Sequence, residues 1–208
     1  GLGARISAYE ADVRDGAALK QVFKDGVEAL GPVTIVVANA GIGPGGFSSP
    51  EQQWDEVIGV NLTGVWNTGR VAIPSMVRNG QGGAIVLTSS TGGLLGAPSN
   101  VAGMLGYTAA KHGVVGLMRS WANFLAPHNI RVNSVAPTTV RTPMANNGDV
   151  SAITQYAPEL ANSLLNAMPV EAVDAEDVAN AVAWLVSDEA RYVTGTVVPV
   201  DAGNLNRR

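Results

Sequence analysis

Tyr107-Thr108-Ala109-Ala110-Lys111, preceded by the pair Ser89-Ser90, places three groups that could move a proton. A free tyrosine is a poor base at neutral pH, with a pKa of about 10. On a helix Lys111 projects from the same face as Tyr107, with Cβ atoms roughly 5–6 Å apart. A nearby ammonium favours the phenolate, so a lowered Tyr107 pKa is expected. A serine hydroxyl in front of the tyrosine could hold a substrate oxygen. Such a set suits proton transfer to or from an alcohol or a carbonyl.

The elements that must position these groups follow from patterning. Ile6–Tyr9 reads as a short strand. Asp15 is placed to cap a helix carrying Leu19, Val22, Phe23, Val27 and Leu30 on one stripe. Residues 33–38 form a β-branched run of the length of a buried parallel strand, ending at Asn39-Ala40-Gly41. Ser49-Pro50 opens a helix, with Gln52 completing a capping box. Trp54, Val57, Ile58, Leu62, Val65 and Trp66 continue it at helical spacing. Residues 84–88 are the next buried strand, followed by a Gly/Pro/Ser-rich loop to Gly106. A helix is expected from Tyr107 to Leu125, then a strand over 131–135 broken by Pro137. Asp174 caps a helix with Val178, Val182 and Leu185, and 196–200 form a last strand. Residues 145–168 are expected to form a substrate lid.

Alternating strands and helices predict an α/β fold, a doubly wound parallel sheet with helices on both faces. The 208 residues, 46% hydrophobic, suffice for one domain spanning 1–208. A net charge of −4 without a basic patch disfavours nucleic acid. There is no cysteine, and His112 and His128 lack metal-ligand spacing, so no metal is expected. No apolar run reaches the ~18 residues of a membrane helix. A cytoplasmic protein that does not engage membrane is the resulting expectation. Trp54, Trp66, Trp121 and Trp184 are expected in the core, and His112 in a structural role.

Ligands bind at the carboxyl ends of the strands in an open parallel sheet. Asp12, Asn39-Ala40-Gly41, Ser89-Ser90 and Pro137-Thr138-Thr139 all fall at such ends. Taken singly each has a plainer reading. Asn39-Ala40-Gly41 is ordinary turn chemistry, Asp12 could end a strand, and a mid-helix Asn61 usually faces solvent.

Taken together the residues resemble the short-chain dehydrogenase/reductase family, over nearly the whole chain. Ala11-Asp12-Val13 resembles its adenine-contacting Asp-Val. Val37-Ala38-Asn39-Ala40-Gly41 resembles its Asn-Asn-Ala-Gly strand end, with Ala38 for the first Asn. Val60-Asn61 and Thr88-Ser89-Ser90 resemble its helix asparagine and strand-end serine. Pro137-Thr138-Thr139-Val140-Arg141-Thr142 is similar to its nicotinamide loop, with Thr138 in place of Gly. Val200-Asp201-Ala202-Gly203 matches its last strand. Ala110 to Arg119 and Thr142-Pro143-Met144 resemble the mycofactocin-associated, carveol-dehydrogenase-like actinobacterial branch.

The resemblance implies a Rossmann-type fold and catalytic roles for Ser90, Tyr107, Lys111 and Asn61. It implies contacts of Asp12, Val13, Asn39, Ala40, Gly41, Tyr107, Lys111, Pro137, Thr139, Val140 and Thr142 with a dinucleotide, NAD rather than NADP. It further implies hydride transfer between a secondary alcohol and a ketone, and a homotetramer. Leu94, Leu95, Met104 and Met144 favour a hydrophobic substrate. In this family the fold opens with a Gly-x-x-x-Gly-x-Gly turn. That turn is not found here, so an N-terminal βαβ portion of roughly 45 residues is expected to be missing. A non-catalytic dinucleotide-binding or scaffold protein of the same fold is the alternative.

Overall fold

The computed structural model describes residues 5–45, 49–146 and 158–207. Its sheet has four parallel strands in the order β1-β2-β3-β4: β1 Ile35–Ala38, β2 Gly83–Thr88, β3 Ile130–Pro137 and β4 Val197–Val200. Val37 pairs with Val86, Leu87 with Ser134, and Val135 with Val198. The helices are α1 Gly16–Leu30, α2 Pro50–Ile58, α3 Gly64–Asn79, α4 Ala102–Leu125, α5 Pro143–Asn146, α6 Pro158–Ser163 and α7 Ala175–Val186.

Strand alternation divides the core between the two faces of the sheet. Ile85, Leu87 and Val132 pack against Ile73 and Met76 of α3 and Val114 and Met118 of α4. Val86 and Val135 point the other way and pack with Leu185 of α7. Helices therefore cover both faces, as the sequence predicts.

Local signals explain the helix ends. Asp15 accepts hydrogen bonds from the Ala17 and Ala18 amides at 2.9 and 3.0 Å. Ser49 caps α2 by accepting from the Gln52 amide at 3.2 Å. The Asp174 amide donates to the Asp177 carboxylate at 3.0 Å at the start of α7.

Five expectations need correction. Ile6–Tyr9 is not a strand: Ile6 is 85% exposed, and no described strand runs beside the segment to complete a ladder. The helix carrying Tyr107 begins at Ala102, not at Tyr107. Gly103 and Gly106 are not helix breakers there, and Gly103 is a point of close approach. A Cβ on Gly103 would lie 2.0 Å from the Pro44 carbonyl oxygen. Pro137 ends β3 rather than breaking it two residues earlier, because it pairs with Val200 as the last strand residue. The helix from Pro50 is not continuous: residues 59–63 form a π-helical turn between α2 and α3. Finally, Trp54, Trp66 and Trp184 stand exposed on outward helix faces, whereas Trp121 packs against the core. Trp66 carries the Arg70 guanidinium over its ring at 4.9 Å. In the expected lid, α5 and α6 are helical, and residues 147–157 lie outside the described residues.

Candidate active site

The ends of β1, β2 and β3 open onto one cavity of about 750 Å³. Ser90, Tyr107, Lys111 and Asn61 all line it. Each is brought there by a different local device.

Lys111 lies one turn beyond Tyr107 on α4 and is only 4% exposed. Its ammonium donates to the Thr88 carbonyl oxygen at 2.9 Å and sits 5.6 Å from the centroid of the Tyr107 ring. That carbonyl is its single hydrogen-bond acceptor among the described residues, so two of three N–H donors have no protein partner. Burial without a counter-charge pulls the Lys111 pKa down to about 8. Ser89 does not face substrate in the same way as Ser90. Its hydroxyl is buried and donates to the Lys111 carbonyl oxygen at 3.0 Å, fastening the end of β2 to α4.

Ser90 has extended backbone, and its hydroxyl accepts from the Gly92 amide at 3.1 Å. The same hydroxyl is hydrogen-bonded to the Tyr107 side chain. The direction of the Tyr107 pKa corrects the expectation from spacing. Desolvation raises it, and the Ser90 hydrogen bond offsets only part of that rise. Lys111 is on the expected helix face, but its ammonium is turned to Thr88. The phenol is therefore held protonated at neutral pH.

Asn61 sits in the π-helical turn and is fully buried. Its carboxamide accepts from the Ile42 amide and donates to the Ile42 carbonyl, both at 3.0 Å. This reciprocal pair pins the chain where it leaves β1. A π turn inserts an extra residue and re-aims a side chain, a device common at functional sites. A Cβ on Gly41 would lie 2.8 Å from the Asn61 carboxamide oxygen and 3.7 Å from the Lys111 Nζ. Glycine thus keeps a small opening between those two groups. Gly41→Ala is expected to destabilise the fold by about 1–3 kcal/mol, because the Asn61 carboxamide cannot yield without losing Ile42. A fall in thermal midpoint checks this; an unchanged midpoint contradicts it.

The other sequence-selected residues divide into two groups. Asn39, Gly41, Pro137, Thr139, Val140 and Thr142 line the cavity. Asn39 accepts from the Thr88 hydroxyl at 2.9 Å, which joins the ends of β1 and β2. Asp12, Val13 and Ala40 do not line it. The Asp12 carboxylate is held by Arg14, whose Nε donates to it at 2.9 Å, and this keeps the Asp12 pKa below its ordinary value. Arg14 also pairs with Glu56 of α2. Val13 packs on Gly64, where a Cβ would lie 2.5 Å from its methyl. His112 is exposed, and its Nδ1 lies 2.9 Å from the Thr108 carbonyl oxygen.

Sequence reasoning missed Thr88 and Ile42, which act through backbone groups that no side-chain motif announces. Leu160 and Leu164 of the segment around α6, within the 145–168 stretch expected to form a lid, are part of the cavity wall. Among the described residues no cluster of His, Cys, Asp or Glu could hold a metal ion.

The sheet and the residues at its strand ends define a Rossmann-type α/β protein. Comparisons with known proteins agree. The family profile described as Enoyl-(Acyl carrier protein) reductase matches residues 1–204. The chain is 46% identical to (-)-trans-carveol dehydrogenase of Rhodococcus erythropolis, over 97% of this chain and 76% of that relative. It is 44% identical to a carveol dehydrogenase from Mycobacterium avium solved with NAD, with a TM-score of 0.87 over 98% of this chain and 76% of that one. A short chain dehydrogenase from Mycobacterium paratuberculosis bound to NAD is 41% identical, with a TM-score of 0.89 over 98% and 75%. The chain belongs to the short-chain dehydrogenase/reductase family of oxidoreductases. No helix among the described residues is long and apolar enough to cross a membrane.

Proposed function

We propose that this protein interconverts a hydrophobic secondary alcohol and its ketone with NAD. The observation that carries the reading is the convergence of Ser90, Tyr107 and Lys111 on one cavity at the strand ends. The carveol dehydrogenase relatives support the substrate class, and the two NAD-bound relatives support the cofactor.

The residues present fit a dinucleotide. Lys111 offers two unmet N–H donors from a buried position, which suits a vicinal ribose diol. Gly41 leaves the end of β1 without a side chain beside it. Pro137, Thr139, Val140 and Thr142 line the opposite wall and would hold the nicotinamide end. Asn39, Ala40, Asp12 and Val13 would serve the more distant part. A bound nicotinamide supplies or accepts the hydride at the carbinol carbon.

The protein's own groups handle the proton. Ser90 holds the substrate oxygen and Tyr107 gives a proton to it in reduction or takes one in oxidation. A protonated phenol is the form that reduction needs, and burial favours that form. Oxidation needs the phenolate, which a neighbouring positive charge would stabilise. Lys111 keeps a proton source beside the phenol. The opening at Gly41 leaves room for a water between Lys111 and Asn61, which would carry the relay outward. Such acid–base help is typically worth 10²–10⁴ in rate.

The apolar side chains around the cavity, Leu95, Met104, Met144, Leu160 and Leu164, suit a hydrocarbon substrate body. Exposed Trp66 of α3 and Phe124 of α4 would be covered in a homotetramer that pairs these helices. The test is turnover of a panel of secondary alcohols with NAD and with NADP. Preferred turnover of hydrophobic members with NAD is expected. Preference for charged or primary alcohols, or for NADP, would overturn the reading.

A further inference from the structure

We infer that the Thr138–Asn166 pair is a specificity-determining latch that fixes the width of the substrate cavity. This rests on the functional reading above. Thr138 follows the last residue of β3, is buried, and lines the cavity. Its hydroxyl donates to the Asn166 carboxamide oxygen at 3.0 Å. The Asn166 amide nitrogen donates to the Val170 carbonyl at 2.9 Å and the Glu171 carbonyl at 3.3 Å. One carboxamide thus closes the turn after α6 and ties it to the exit of β3. Asn166 itself does not line the cavity.

The tie is one of several among the described residues that hold the Leu160–Leu164 wall, and Arg207 also donates to the Asn162 carbonyl at 3.3 Å. From the other side, the Asn204 amide donates to the Ser163 and Leu165 carbonyls at 2.9 and 2.8 Å. The Ala167 and Met168 amides donate to the Ala202 carbonyl at 3.1 and 2.9 Å. Those contacts anchor α6 to the C-terminal turn. The same C-terminal segment also reaches the loop over 138–142, since the Thr138 amide donates to the Val200 carbonyl at 3.2 Å. Backbone bonds farther along, Val173 amide to Thr139 carbonyl and Arg141 amide to Val173 carbonyl, both at 3.0 Å, zip that loop to the 170s. Among the described residues, Thr138–Asn166 is the side-chain hydrogen bond that directly joins the loop to the chain between Leu164 and that zipper. With the hydroxyl gone, the wall pivots on Asn204, and the gap between Thr138 and Leu164 widens.

The consequence is selective. A compact alcohol loses contact with the wall, while a bulky one gains room. Proton transfer at Ser90 and Tyr107, on other elements, is unaffected. A single neutral hydrogen bond corresponds to about a five- to tenfold effect on an equilibrium.

The test compares the wild-type chain with Thr138→Val, Thr138→Ser and Asn166→Ala. The readouts are kcat and KM for a compact and a bulky secondary alcohol, and amide hydrogen exchange over residues 163–174. Thr138→Val and Asn166→Ala are expected to raise KM for the compact alcohol about five- to tenfold, with kcat within about twofold in Asn166→Ala, whose side chain lies outside the cavity. The ratio of kcat/KM for bulky over compact substrate rises, and exchange at Ala167 and Val173 quickens. Thr138→Ser, which keeps the hydroxyl, restores both. Unchanged KM and exchange in Thr138→Val, or equal losses in Val and Ser, would overturn the latch. So would a joint fall of kcat and thermal midpoint with unchanged selectivity. Should the wild type turn over no secondary alcohol, the functional reading fails by itself, and unchanged amide protection in Thr138→Val would separately overturn the latch.

Discussion

Tyr107→Phe is expected to lower kcat about 10²–10⁴-fold while NAD affinity stays within about threefold. The substitution removes one oxygen and keeps the ring. The ring lies against Gly92, where a Cβ would be 3.7 Å from its edge, so the packing of the loop after β2 survives. Among the described residues the Tyr107 phenol is the acidic side chain placed beside Ser90. Lys111 is turned to Thr88 and cannot replace it at the substrate oxygen. The loss should appear in kcat and in kcat/KM alike, because the proton moves only in the transition state. Near-full kcat in Tyr107→Phe would remove Tyr107 from the mechanism.

Lys111→Met should give a protein that is more stable at neutral pH and almost inactive. The ammonium is buried without a counter-charge, and its pKa falls from 10.5 to about 8. Between those values the unfolded chain binds more protons than the folded one, so stability rises with pH across about 8 to 10.5. Below about pH 8 the whole cost of burying the charge is present, about 3 kcal/mol at 1.36 kcal/mol per pKa unit. Methionine fills similar volume without the charge, but it leaves the Thr88 carbonyl unpaired, at a cost of about 1–3 kcal/mol. A net gain of about 1 kcal/mol at pH 7 follows, shrinking and then reversing towards pH 10.5. Urea unfolding of both proteins at pH 7 and pH 10 measures it. A variant less stable than wild type at pH 7 would show that the ammonium is not desolvated as described. Conflict between stability and activity at one residue is the usual mark of a functional site.

Much of this was legible from residue types. Asp15 and the stripe behind it define α1, and the β-branched runs define β1 and β2, but β1 is not the buried strand expected: Ile35 and Val37 are 48% and 44% exposed, whereas the middle of β2 is buried. The end of β2, α4 and the π-helical turn then bring Ser90, Tyr107 with Lys111, and Asn61 to one cavity. Three features were hidden for physical reasons. The π-helical turn at Asn61 was read as continuous helix, since Val57, Leu62 and Val65 fit a helical period whether or not one residue bulges. Gly59, which opens that turn, and Gly64, which follows it, are its only local sign. Gly103 reads as a loop glycine in the sequence, because its reason lies in the distant Pro44. Thr138 stood out as a departure from glycine, but its partner Asn166 lies 28 residues away and no local rule links them. The direction of the Tyr107 pKa is hidden for a related cause: spacing gives the distance to Lys111 but not the depth at which both are buried.

The most direct test follows the hydride. A hydrophobic secondary alcohol carrying deuterium at its carbinol carbon is incubated with the protein and NAD, and the reduced dinucleotide is analysed by mass spectrometry and NMR. The deuterium is predicted at C4 of the nicotinamide, with the hydroxyl proton released to solvent. Deuterium retained in the alcohol or lost to water, with no labelled dinucleotide, would contradict the assignment of this site to alcohol–ketone interconversion.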